Sequence, residues 1–384
     1  MPVSSNFLTR SVQSAMKVES TTGSVISPIF QTSTFKQSSP GEHQGYDYSR
    51  GKNPTRSLVE KTLASLEKAK YGLAFSSGLS AEQAIIHMMD SGSRVLVSDD
   101  VYGGTGRLFR QLYSKYGIHF DFVDMTNDDE LKKAFAKKPK LVWVETPTNP
   151  TLKIIDIEKV AVKSKEVSAI CVVDNTFCSP VFQSPLDLGA DLVVHSLTKY
   201  IGGHCDLIGG ALMTNRDDLY EKLSFIQMSI GAVPSPLECF LISRSVKTLG
   251  VRMAQHEKSA LSVAQFLASH EKCQRVLYPG LETHPQYDLA RKQMKGFSGM
   301  VSFELKGDYG NVKSFLKGLR LVILAESLGG VETLINHPEK MTHASVPKED
   351  RKKLGINSNL LRLSVGIESP EDIIQDIKTA FESF

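Results

Sequence analysis

The chain has 384 residues, 45 of them Lys or Arg and 42 Asp or Glu, for a formal net charge of +3. So small an excess gives no single-sign field to gather nucleic acid or an anionic membrane. Hydrophobic residues make up 41% and charged residues 23%, which excludes a disordered chain. The length predicts two domains or three. The longest apolar runs, such as Ala169–Val173, fall far short of the roughly 18–20 residues of a membrane span.

The first thirty residues are rich in Ser and Thr and lack the apolar stretch of a secretory signal. Arg10 and Lys17 hint at a transit peptide, but no basic amphipathic repeat supports one. The five cysteines, Cys171, Cys178, Cys205, Cys239 and Cys273, are odd in number and form no CxxC pair. Neither a disulfide framework nor a zinc ribbon is indicated, and reduced cytoplasmic thiols are expected.

Residues 1–50 carry many Ser, Thr, Gly and Gln and little apolar periodicity. They predict an extended N-terminal arm that contacts a neighbouring subunit. In Leu58–Leu66, the spacing of Leu58, Leu63 and Leu66 suits a helix. Short apolar runs follow at Leu73–Phe75, Val95–Val97, Phe120–Val123, Leu141–Val144, Ile170–Val173 and Leu192–Val194. Their spacing predicts strand–helix–strand units. Their continuous character predicts a buried, mostly parallel sheet, forming a large domain over 51–250. A long helix is predicted over Pro236–Phe266, opened by Pro234-Ser235-Pro236. After the turn Tyr278-Pro279-Gly280 come two alternating strands, Met300–Leu305 and Leu361–Val365, and a final helix near Glu371–Phe381. These predict a smaller α/β domain over 251–384.

Polar residues stop the apolar runs in a suggestive way. Phe75 leads into Ser76-Ser77-Gly78-Leu79, and Val97 into Ser98-Asp99-Asp100-Val101-Tyr102. Val144 leads into Glu145-Thr146-Pro147-Thr148-Asn149, Val173 into Asp174-Asn175-Thr176, and Val194 into His195-Ser196-Leu197-Thr198-Lys199. Ligands of open parallel sheets bind at the carboxyl ends of the strands. A lysine just past a strand end, flanked by hydroxyls, suits covalent capture of an aldehyde cofactor. Ser196 and Thr198 suit a phosphate, as do the backbone N–H groups of Ser77-Gly78-Leu79 at a helix start. Asp174 suits a pyridinium nitrogen, and Tyr102 a stacking face. Together these requirements describe pyridoxal 5′-phosphate. A nicotinamide site would need a G-x-G-x-x-G that Gly104-Thr105-Gly106 does not complete. His195, His204 and Cys205 match no usual metal spacing.

On these motifs the chain resembles the Cys/Met-metabolism family of fold-type I pyridoxal-phosphate enzymes. The likeness runs from Tyr48-Ser49-Arg50 to Arg362-Leu363-Ser364. The resemblance implies an α/β, transferase-like fold with a large cofactor domain and a small C-terminal one. It implies that Tyr48 and Arg50 reach the phosphate of a neighbouring subunit, within a homotetramer built from dimers. Gly78, Leu79, Ser196 and Thr198 would hold the phosphate, Tyr102 would stack on the ring, and Asp174 would pair with its nitrogen. Lys199 would be the catalytic amine. Asn149, Arg362 and Ser327 would position an amino-acid substrate, Arg362 through its α-carboxylate. Glu326 or Arg107 would read the substrate's distal end.

Within the family, Ala325–Gly330 and Ser229–Pro236 look like the branch that cleaves cystathionine at its γ-carbon. That branch yields cysteine, 2-oxobutanoate and ammonia. Gly104 stands where methionine-cleaving members carry a cysteine. Ile335-Asn336-His337-Pro338 reads instead like members that build cystathionine by γ-replacement. That synthase reaction stays open here, as does a catalytically silent regulatory homologue. Cys205 is expected to be a small packed thiol.

Overall fold

The computed structural model describes residues 6–15, 18–344 and 346–384. Seven strands build the first sheet: β1 Tyr71–Phe75, β2 Arg94–Ser98, β3 His119–Val123, β4 Leu141–Glu145, β5 Ile170–Asp174, β6 Leu192–Ser196 and β7 Gly210–Thr214. Their order is β1-β7-β6-β5-β4-β2-β3. β7 runs antiparallel to both β1 and β6, while the other pairings are parallel. The carboxyl ends of β1, β2, β4, β5 and β6 therefore share one edge.

The central strands are covered on both faces. All five residues of β4 are buried, and Trp143 is fully enclosed, edge-on to Phe109. β3 departs from the expected buried run, because it lies at the edge of the sheet and its residues are exposed or half-buried. β7 was not anticipated from its Gly-Ala start. The glycine is required by the packing: a Cβ on Gly210 would lie 2.1 Å from the Ser77 carbonyl oxygen.

The helix Pro54–Leu66 starts where Asn53 Oδ1 accepts from Thr55 N at 2.9 Å and from Arg56 N at 3.4 Å. Pro54 suits the first helical turn because its missing N–H would have had no partner there. The expectation of an unbroken arm over residues 1–50 needs correction. Phe7–Gln13 is helical, capped by Asn6. Its Phe7 and Leu8 pack so tightly on Gly250 that a Cβ there would meet Leu8 at 2.3 Å. Residues 18–50 contain neither helix nor named strand.

The single long helix expected over Pro236–Phe266 is two helices, Pro236–Ser245 and Leu249–Ser269. The break has a local cause. The Ser245 carbonyl accepts from the Thr248 hydroxyl at 3.1 Å and from Arg252 Nη2 at 3.0 Å, and Val246–Thr248 tightens into a 3-10 turn.

The second sheet holds β8 Cys273–Leu277, β9 Met300–Leu305, β10 Ile323–Leu324, β11 Leu334–Asn336 and β12 Leu360–Ser364, in the order β10-β11-β12-β9-β8. Alternating burial was expected for β9 and β12, but every residue of both is buried. One face packs on the helices Leu249–Ser269, Tyr309–Gly318 and Pro370–Phe381 through Val301, Phe303, Phe315 and Ile377. On the other face, Ser302 donates to the Pro150 carbonyl at 2.6 Å, beyond the end of β4. This contact brings Arg362 of β12 to the carboxyl edge of the first sheet.

Candidate active site

A cavity of about 300 Å³ opens at that shared edge. Its lining includes Gly78, Leu79, Tyr102, Asn149, Asp174, Ser196, Thr198, Lys199, Glu326, Ser327 and Arg362, residues drawn from both sheets. Five strand ends and β12 thus deliver one constellation. Arg107, Tyr48 and Arg50 do not line it. Arg107 ends the short helix Gly103–Arg107 and acts on Tyr102 through its charge. Arg50 donates to the Met228 carbonyl at 2.6 Å and sits 5.6 Å from the exposed Tyr48 ring.

Lys199 Nζ donates to Ser327 Oγ at 2.7 Å. Burial, and after it the Arg362 guanidinium, lowers the Lys199 ammonium to about 8. A lysine there holds a free amine at a pH where a solvated one does not. Ser327 pays for its place with a backbone φ of 83°, a left-handed conformation disfavoured for residues other than glycine. Its carbonyl accepts from Arg362 Nη2 at 2.9 Å. Arg362 Nη1 donates to Asn149 Oδ1 at 2.8 Å. With its amide oriented to match, Asn336 accepts from Arg362 Nε at 3.3 Å. Arg362 is 2% exposed, and burial lowers it to about 10, so it stays cationic at neutral pH.

The opposite end of the cavity is acidic. Burial raises Asp174, against the hydrogen bond it accepts from Thr176 N at 2.9 Å. Burial first, and the Asp174 charge second, hold Glu82 and Glu145 well above the usual carboxylate range. Tyr102 N donates to Glu145 Oε2 at 2.8 Å. The Tyr102 phenol is raised by burial and then by Glu82. A side chain at position 104 would strike the ring, since a Cβ on Gly104 would lie 2.3 Å from Tyr102 Cε1.

The helix Gly78–Ile86 aims its N-terminus at the cavity, with Ser77 Oγ capping Ser80 N at 3.0 Å. Gly78 meets Ser196 so closely that a Cβ would lie 3.2 Å from Ser196 Cβ. The backbone N–H groups of Gly78 and Leu79 at the helix start and the Ser196 hydroxyl form a cradle for an anion. The Thr198 hydroxyl also pairs with Gly209, accepting from its N–H at 3.1 Å. Pyridoxal phosphate fits these residues. The cradle suits its phosphate, the acidic end suits a cationic ring nitrogen, and the Lys199 amine suits its aldehyde.

Glu82, Glu145 and Thr342 line the site without having been singled out from sequence. Glu145 stands at a strand end, and Glu82 lies one helical turn past Gly78, so both carried a local signal. Thr342 carried none. Its carbonyl reaches Gly103 from far along the chain, where a Cβ would lie 2.2 Å away. Cys205 is exposed rather than packed, with Sγ 3.6 Å from Glu332 Oε2. His195 is buried against Glu67, which also accepts from Asn175 Nδ2 at 3.0 Å.

Comparison with known proteins agrees with this chemistry. The "Cys/Met metabolism PLP-dependent enzyme" family matches residues 8–382. The chain is 52% identical to a cystathionine gamma-lyase of Dictyostelium discoideum, over 97% of each chain. It is 47% identical to a cystathionine beta-lyase of Coxiella burnetii, again over 97% of each. Among solved structures, a cystathionine gamma synthase from Xanthomonas oryzae pv. oryzae superposes with a TM-score of 0.96 at 42% identity, covering 98% of each chain. A match of this extent settles membership: the chain belongs to the pyridoxal-phosphate-dependent enzymes of Cys/Met metabolism.

Proposed function

We propose that the protein cleaves L-cystathionine by α,γ-elimination, giving L-cysteine, 2-oxobutanoate and ammonia in transsulfuration, with slow release of hydrogen sulfide from cysteine as a side reaction. The carrying observation is an unusually acidic Lys199 ammonium held beside the Arg362 fork through Ser327 in one cavity. The likeness to the Dictyostelium gamma-lyase supports γ-cleavage.

When bound, pyridoxal phosphate supplies an electron sink for charge developing at the substrate's α-carbon. Gly78, Leu79, Ser196 and Thr198 would hold its phosphate, and Asp174 its ring nitrogen. Arg362 takes the substrate's α-carboxylate as a bidentate pair, with Asn149 fixing the guanidinium plane. Lys199 Nζ, free as an amine above about pH 8, accepts the α-carbon proton, would hand it on to the electron sink that the cofactor supplies, and as a free amine again accepts a β-carbon proton. The bond from the γ-carbon to sulfur breaks, and sulfur leaves with the electron pair. Tyr102, whose phenol is held protonated by burial, gives that sulfur its proton. Water completes the release of 2-oxobutanoate and ammonia. Glu326, whose charge acts on both Lys199 and Arg362, reads the distal ammonium of the substrate. Arg107 is the alternative reader.

The same proposal places Tyr48 and Arg50 at the phosphate of a neighbouring subunit, in a cytoplasmic homotetramer. Among the described residues, no helix is long and apolar enough to cross a membrane. The test is product analysis with purified, cofactor-loaded protein. Cysteine and 2-oxobutanoate from cystathionine are expected. Homocysteine with pyruvate would replace the reading with β-cleavage. Cystathionine made from cysteine and an activated homoserine ester, without cleavage, would replace it with γ-replacement. No turnover at all would leave the silent homologue.

A further inference from the structure

Glu82 is a buried acid that the reaction above does not use. It is 3% exposed and lines the cavity beside Asp174. Its Oε1 accepts from the Thr105 hydroxyl at 3.0 Å, and its Oε2 has no hydrogen-bond partner among the described residues. Glu82 belongs to the helix Gly78–Ile86, and Thr105 to the helix Gly103–Arg107 that follows Tyr102 directly. The Tyr102 turn thus has two buried tethers: Glu145 at the Tyr102 N–H and Glu82 at Thr105.

We propose that Glu82 is a positioning residue for Tyr102, tethering the ring-bearing turn through Thr105 to the helix whose N-terminus opens on the phosphate cradle. One rigid helix then fixes both the anion site and the stacking ring. The inference rests on the pyridoxal-phosphate reading of the cavity.

The test compares wild type, Glu82→Gln, Glu82→Ala, Thr105→Ser and Thr105→Val as cofactor-loaded proteins. Visible circular dichroism of the bound cofactor reports the stacked ring, and kcat and KM are measured alongside. Glu82→Gln keeps a carbonyl for Thr105 and Thr105→Ser keeps the hydroxyl, so both retain the wild-type dichroism and rate. Glu82→Ala and Thr105→Val lose the tether. Both shift the dichroism and lower kcat about tenfold, in line with small misplacements of catalytic groups, while KM changes little. Their double variant is no worse than either single one. Wild-type dichroism and kcat in Thr105→Val would overturn the proposal, and so would a Glu82→Gln as impaired as Glu82→Ala. A wild-type protein that binds no pyridoxal phosphate would instead overturn the cofactor reading itself.

Discussion

Lys199→Met in the cofactor-free protein tests whether this lysine is kept for chemistry at the expense of stability. A fall of the Lys199 ammonium from 10.5 to about 8 corresponds to a destabilisation of about 3 kcal/mol at ~1.4 kcal/mol per tenfold. Below pH 8 the amine is protonated in the folded and unfolded chains alike, so the whole penalty applies. Between pH 8 and 10.5 the folded amine is neutral while the unfolded one keeps its proton, and stability climbs with pH. Above 10.5 the penalty is gone. Methionine keeps the length and apolar stem but removes the charge. It also removes the bond to Ser327, at about 1 kcal/mol. At pH 7 the variant should be more stable than wild type by about 1–2 kcal/mol. The assay is urea denaturation of both cofactor-stripped proteins at pH 7 and pH 10. The gap should close at pH 10. A variant less stable at pH 7, or a gap equal at both pH values, would refute the reasoning.

Three further outcomes follow from the geometry. Arg362→Lys keeps the charge but cannot bridge a carboxylate in two places, so kcat/KM should fall about a hundredfold, with the cofactor's absorbance spectrum unchanged. Gly210→Ala places a methyl 2.1 Å from the Ser77 carbonyl, so the phosphate-facing helix must shift. Equilibrium dialysis should show weaker pyridoxal-phosphate binding. Asn53→Ala removes the cap of the helix Pro54–Leu66 and the tie from Asn53 Nδ2 to the Phe30 carbonyl, and denaturation should show a loss of about 2 kcal/mol.

Much of the site was legible because its carriers are buried parallel strands. Such strands need apolar side chains on both faces, so the first polar residues after each run mark the open edge. Lys199 and Asp174 followed from that rule, while Asn149, also past a strand end, took its role from the family resemblance. β7 escaped it because Gly210 is selected by close packing against Ser77, which no local pattern records. β9 and β12 were misread as alternating because their second face is covered by the first sheet's loops, a contact between residues about 150 apart such as Ser302 and Pro150. A still longer separation hid Thr342, whose contact is with Gly103. The helix Phe7–Gln13 was missed because its stability comes from Gly250 and its surroundings rather than from its own spacing.

The charges in the cavity explain why this arrangement suits an amino acid on a cationic ring. Lys199 and Arg362 stand together, both bonded to Ser327. Asp174, Glu82 and Glu145 gather at the ends of β4 and β5 and on the helix after β1. Burial is the first cause of each shift, and neighbouring charges add to it: Arg362 lowers Lys199 further, and Asp174 raises Glu82 and Glu145 further. A cationic ring nitrogen placed at the acidic end relieves that repulsion, and a substrate carboxylate placed at Arg362 relieves the other. At Lys199 burial, the first cause of its lowered ammonium, persists when a carboxylate covers Arg362, and that keeps its amine ready to take a proton from carbon.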